Sequence, residues 1–186
     1  MKCTKHASTK KYMSTWHIDQ AHSEIGFKVK HLMVSNVKGF FGNFSGTLTS
    51  DDDNLTNAKV SFEAETASVN TRNDQRDGHL KSPDFFDTDK FPKLNFVSTS
   101  FVKKSDNTYT VTGDFTMKGV TKSIELSAVC NGIAVGMDTK RVMSFDVSGV
   151  INRQDFGVSW NSPLEKGGVV VSNEVWISAP VEFKEE

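Results

Sequence analysis

From Gly26 onward the chain alternates apolar and polar residues with a period of two. Phe27 and Val29 fall on one side of an extended strand and Lys28 and Lys30 on the other, the pattern of a strand with one dry and one wet face. Val60, Phe62 and Ala64 alternate with Ser61, Glu63 and Glu65, and Leu94 and Phe96 flank Asn95. Tyr109, Val111, Gly113, Phe115 and Met117 alternate with Thr110, Thr112, Asp114 and Thr116. The same rule covers Ile124, Leu126 and Ala128, then Met143, Phe145, Val147, Gly149 and Ile151. Near the end Val169, Val171, Val175 and Ile177 share one parity, with Asn173 interrupting, and Val181 and Phe183 close the chain. Turn-rich stretches separate the runs: SDDDN, KSDNT, MKGVTK and EKGG. About eight strands in hairpin order predict an antiparallel meander.

Residues 71–92 break the rhythm. They read as a short helical insertion through the Gln75–Leu80 region, capped by Thr71 or Asn73, with Ser82-Pro83 as a second cap followed by proline at a first helical position. Residues 152–168 are irregular and predict no element. No composition break or repeat marks a second domain. The reading is a polar tail over residues 1–14 and one barrel domain over residues 15–186.

A single open sheet would leave an apolar face and two edges uncovered, and closure removes the edges. A closed sheet of roughly eight strands is either filled by its own side chains or just wide enough for one small ligand. The chain holds 14 Phe against 2 Tyr. Phenyl rings carry large apolar area and no hydrogen-bonding group, so they suit a dry pocket or a packed centre equally. Inward glycines such as Gly113 and Gly149 would leave space, or would mark barrel corners. Parity assigns the inner face to Phe27, Val29, Phe40, Phe44, Phe62, Phe96, Val111, Phe115, Leu126, Phe145 and Val147. His31 shares parity with Phe27 and Val29 and points inward, toward a ligand head group or a neighbouring side chain. Phe85 and Phe86, on the insertion, would cap the mouth. These fourteen residues are the candidate ligand-binding set.

Charge narrows the partners. With 22 basic and 23 acidic residues, no net field favours nucleic acid or an anionic membrane, and no basic stripe is present. Lys2 to Lys11 is locally basic and reads as a solvated tail. Cys3 and Cys130 read as two free thiols, which fits a reducing compartment. No apolar run approaches the ~20 residues of a membrane helix, so no stable membrane insertion is expected. The N-terminus lacks an apolar signal core. The expectation is a cytoplasmic protein as the sequence stands, or a periplasmic or secreted one if the chain is a processed form; Met13 could be an internal start.

Catalytic chemistry finds little support. His22, His31 and His79, with Asp19 and Asp77, show no metal-site spacing. Neither a metal nor a cofactor is expected. Arg76-Asp77 reads as a local ion pair pinning the insertion, and Arg153 beside Asp155 reads the same way; head-group binding is the sharper alternative. No G-x-S-x-G elbow surrounds Ser23, Ser98 or Ser148, and Cys130 has no basic neighbour to activate it. The chain is therefore read as a non-enzyme. The alternatives are an enzyme using pocket histidines on a lipid or small apolar substrate, and a filled structural or stress-response barrel.

Five segments in order carry a family likeness. WHIDQAHSEIGFKVKHLMVSNVKGFFGNFSG resembles the opening of the YceI-like, polyisoprenoid-binding family. SVNTRNDQRDGHLKSPDFFDTDKFPKLNFVSTSF, YTVTGDFTMKGVTKSIEL, INRQDFGVSW and VSNEVWISAPVEF resemble its later segments. The resemblance implies a lipocalin-like, eight-stranded antiparallel barrel with a helical segment over its mouth. It also implies an elongated apolar pocket for a polyisoprenoid, an isoprenoid quinone or a fatty-acid derivative, held for sequestration, transport or storage. Many members carry a signal peptide; this sequence shows none. An apolar small molecule is the implied partner, and strand edges make a homodimer plausible.

Overall fold

The structure, a computed structural model, describes residues 13–164 and 167–186. The expectations for Cys3 and the Lys2–Lys11 stretch lie outside the described residues. Among the described residues eleven strands form one sheet: β1 (Ser14–Ile18), β2 (Ile25–His31), β3 (Ser35–Phe41), β4 (Phe44–Ser50), β5 (Lys59–Glu65), β6 (Val69–Asn70), β7 (Lys93–Lys103), β8 (Thr108–Met117), β9 (Val120–Val135), β10 (Arg141–Asn152) and β11 (Val171–Glu185). Every pairing is antiparallel. The order β1-β4-β5-β7-β8-β9-β10-β11 closes because β11 pairs back onto β1 through Phe183–Glu185.

The eleven segments are eight staves, three of them bent. β11 pairs β2 with its first half and β1 with its last residues, so β1 and β2 form one stave broken by the 3-10 turn Gln20–His22. β3 and β4 form the next, broken at Gly42-Asn43; β5 and β6 the third, broken at the 3-10 turn Thr66–Ser68. The three breaks lie side by side and are laced together. Gln20 Nε2 donates to the Phe44 carbonyl, Gly42 N–H to the Ser68 carbonyl, and Glu65 N–H to the Asn43 carbonyl. Backbone groups freed by the bends are thereby satisfied, as buried polar groups must be. The result is the closed eight-stranded barrel that the alternation implies.

Antiparallel order assigns each connection to one of two ends. At one end the loop of residues 51–58 tucks Leu55 and Ala58 inside, 4% and 6% exposed. Trp16 lies above them, 1% exposed, with the Arg141 guanidinium 5.2 Å over its ring. Arg141 is itself held by Asp53 and Glu185. This end is plugged. The other end collects the β2–β3 hairpin, residues 71–92, the Lys118-Gly119 turn and residues 153–164 and 167–170.

The helical insertion is α1 (Asp74–Lys81), capped by Asn73, whose Oδ1 accepts from Arg76 N–H at 2.9 Å. Ser82-Pro83 starts no second helix. Ser82 instead closes α1, its N–H and hydroxyl both donating to the His79 carbonyl. Residues 153–156 form a 3-10 turn closed by Gly157 at φ 73°, a left-handed position that suits glycine. Among the described residues no helix is long and apolar enough to cross a membrane.

Candidate functional site

A cavity of about 380 Å³ runs inside the barrel, within the range of small-molecule sites. Its wall is built stave by stave from inward side chains: Phe27 and Val29, Val60 and Phe62, Leu94 and Phe96, Val111 and Phe115, Leu126, Phe145 and Val147. Phe85 and Phe86 close over it from the insertion, and His31 lines it beside the β2–β3 hairpin. Twelve of the fourteen candidate residues are among these; Val60 and Leu94 line the cavity without having been candidates.

The other two candidates stay out of the lining for different reasons. The break at Gly42-Asn43 inserts an extra step between β3 and β4, so the inner parity changes across it. Phe41, 7% exposed, faces the cavity in place of Phe40, which lies half-buried on the other side of β3. Phe44 does point inward and is 6% exposed, but it packs on Phe62, ring centres 6.4 Å apart, and stays behind the wall. The same mechanism hides Phe101. The β7–β8 register shifts between Ser98 and Ser100, and this bulge turns Phe101 inward although Phe96 has the opposite parity.

The inward glycines do not leave space. A Cβ on Gly113 would meet Phe96 Cζ at 2.5 Å, and one on Gly149 would meet Leu126 Cδ2 at 2.4 Å. Each glycine makes room for a neighbouring side chain that lies across the sheet.

The wall is almost all carbon, and apart from Ser61 its polar side chains gather under α1 and the hairpin: His31, Thr71, Arg76, His79 and Arg153. Arg76 and His79 are one helical turn apart and share a face of α1. The expected Arg76–Asp77 ion pair is replaced by a shared partner. Arg76 Nε donates to Thr71 Oγ1 at 2.7 Å and its Nη2 to the Thr71 carbonyl at 2.9 Å. Thr71 N–H and hydroxyl both donate to Asp77 Oδ1. The two charges are joined through threonine, and α1 is pinned to the end of β6.

Arg153 does not pair with Asp155 as expected. It is 3% exposed, and its guanidinium donates to the carbonyls of Ser172 (2.9 Å), Val158 (2.7 Å), Trp160 (2.8 Å) and Val171 (3.3 Å). Burial lowers its pKa from the ordinary guanidinium value, but such a group stays cationic at neutral pH. Its planar fork cross-links the backbone of Val158 and Trp160 to that of Val171 and Ser172, which a lysine could not do. His79 stacks edge-on against Phe85 and Trp160, ring centres 5.0 and 4.8 Å away, and its Nε2 lies 3.0 Å from Asp84 Oδ2. The helix, the irregular loop and the hairpin thus meet at one polar corner of an oily chamber.

Outside the barrel the structure brings together Asp19, His22 and Glu182. His22 Nδ1 lies 2.9 Å from Asp19 Oδ2, and Lys184 Nζ reaches the same oxygen at 2.8 Å. Lys184 and His22 hold the Asp19 carboxyl well below the usual carboxylate range. Lys184 and His22 thus occupy the Asp19 carboxylate from two sides.

The YceI-like domain family matches residues 16–183. A UPF0312 protein of Staphylococcus aureus (strain MSSA476) is 40% identical over 172 residues, 92% of this chain and 98% of its own length. The structure is similar to that of a Campylobacter jejuni YceI protein, with TM-score 0.73 and 35% identity over 90% of this chain and 96% of the other. It also shares its fold with a polyisoprenoid-binding domain from Saccharophagus degradans, with TM-score 0.68 and 14% identity over 92% and 98% of the two chains.

Proposed function

The chain belongs to the YceI-like domain family, and from that premise we propose that it holds one long-chain amphiphile, with the tail in the barrel and the head at the polar corner. The observation that carries this reading is the segregation of the wall: carbon along the chamber, with Thr71, Arg76, His79 and Arg153 at the α1 end. The ligand class is a polyisoprenoid, an isoprenoid quinone or a fatty-acid derivative, held for sequestration, transport or storage. The fold shared with the Saccharophagus degradans polyisoprenoid-binding domain supports it. Burying the tail contributes roughly 0.8 kcal/mol per methylene, so ten carbons gain about 8 kcal/mol before the cost of ordering a flexible chain. The head adds orientation: a carbonyl or oxyanion accepts from the N–H groups of Arg76.

Binding without chemical conversion is the simpler role for these groups. His79 is occupied by two rings and Asp84, a holding arrangement. Solvent extraction of the purified protein followed by mass spectrometry tests the proposal. The expected result is a co-purified amphiphile, with His31→Ala and His79→Ala variants retaining the tail. Protein that arrives empty and takes up neither quinone nor fatty amide would refute it.

A further inference from the structure

The β2–β3 hairpin ends in a tip that packing does not explain. Leu32, Met33 and Val34 are 41%, 51% and 84% exposed. A bond from Val34 N–H to the His31 carbonyl closes the turn. Both central residues have positive φ, 52° for Leu32 and 63° for Met33. Asparagine and glycine suit such a tight hairpin turn; here two large apolar residues occupy it instead. The tip is held in place: Leu32 N–H donates to the Val170 carbonyl, and a side chain at Gly168 would crowd Met33 Cγ at 3.2 Å.

Below the tip the hairpin is basic. Between Ile25 and Phe41 it carries Lys28, Lys30 and Lys38 and no acidic residue. Lys28 and Lys38 are direct cross-strand partners on the outer face, a like-charge pairing that costs stability. Lys28 Nζ lies 5.2 Å from the centre of the Trp176 ring. Lys30 sits roughly 7 Å along the strand from Leu32, and Lys28, Lys38 and Trp176 roughly 13 Å. An apolar point, then lysines and a tryptophan, matches the layers of a bilayer counted outward from its interior: acyl chains, then the interface with its aromatic belt and anionic head groups. The acidic residues Asp74, Asp84 and Asp89 lie on the insertion side of the same end, and Asp155 and Glu174 on the β10–β11 side, so the hairpin, which carries none, is the docking element.

We infer that the β2–β3 hairpin docks on an anionic phospholipid surface, with Leu32, Met33 and Val34 entering the acyl boundary and the three lysines meeting the head groups. His31 at the hairpin's base lines the cavity, so docking sets the α1 end of the barrel against the lipid. The contact is peripheral and reversible. It stands on the tip's own chemistry, and its test needs no cavity ligand, so it can fail while the ligand reading stands.

The test is co-sedimentation of the full chain with vesicles of equal parts phosphatidylglycerol and phosphatidylcholine, and with pure phosphatidylcholine vesicles. Wild-type protein is expected on the anionic vesicles, with binding falling as salt rises. The Leu32→Asn, Met33→Gly, Val34→Ser variant should bind about tenfold less while melting no lower than wild type, because its turn residues suit the backbone. Neutralising Lys28, Lys30 and Lys38 to Gln should remove the preference for phosphatidylglycerol. Equal binding by wild type and tip variant, or no vesicle binding by wild type, would overturn the inference. So would a wild-type dimer that the tip variant converts to monomer without vesicle binding, which would make a second copy the occupant.

Discussion

The Phe27 ring lies across its cross-strand partner Gly39, where an added Cβ would meet Phe27 Cζ at 2.4 Å and Thr71 Cγ2 at 2.8 Å. One glycine thereby sets the angle of a wall ring and the seat of the residue that pins α1. Gly39→Ala must push Phe27 into the cavity or move Thr71. The expected cost is about 1–3 kcal/mol, the range for overpacking, with reduced uptake of a fluorescent fatty-acid probe. Chemical denaturation and probe titration measure both.

A hollow centre predicts an uncoupling of stability and binding. Phe62→Trp adds bulk at a half-buried wall position. In a filled core it would cost about 1–3 kcal/mol. In this barrel it should cost less than about 1 kcal/mol and displace ligand instead. Parallel denaturation and ligand titration separate the two.

Arg153 holds four carbonyls. Arg153→Lys keeps the charge but leaves carbonyls unpaired, at about 1–3 kcal/mol for a buried group. The melting temperature should fall by about 4–8 °C for a loss of about 2 kcal/mol in a chain of this size. Hydrogen exchange should rise first in residues 153–164. A variant as stable as wild type would show that the cross-link contributes nothing.

Asp19 gives the fold a dependence on pH. Lys184 and His22 hold its carboxyl far below the usual range. Between the folded and unfolded pKa values the unfolded chain binds the extra proton, so stability rises with pH there. The contribution is complete above about pH 4, the unfolded value, and is lost as pH falls toward the folded pKa. Asp19→Asn should cost about 1 kcal/mol at pH 7, the scale of a charge-assisted bond at a partly exposed site. The difference from wild type should shrink below pH 4. A constant difference from pH 7 to pH 2 would rule the network out as its source.

The alternation of polar and apolar residues by itself determined that this chain is an antiparallel meander, and which parity of β5, β8 and β10 faces inward, because within an unbroken strand successive side chains must point to opposite sides. Parity is carried only as far as the backbone stays regular. The break at Gly42-Asn43 exchanged Phe40 for Phe41, and the bulge beside Ser98 turned Phe101 inward, for local backbone reasons that no side-chain pattern reports. The helix was legible from Asn73 because capping is a local bond. The ion pairs guessed for Arg76 and Arg153 were not, because their partners came from Thr71 and from the carbonyls of Val158, Trp160, Val171 and Ser172. Whether the barrel is hollow is a sum over every inward side chain once the ring has closed. Only the tertiary structure performs that sum, and it also brings the hairpin, the helix and the irregular loop to one end.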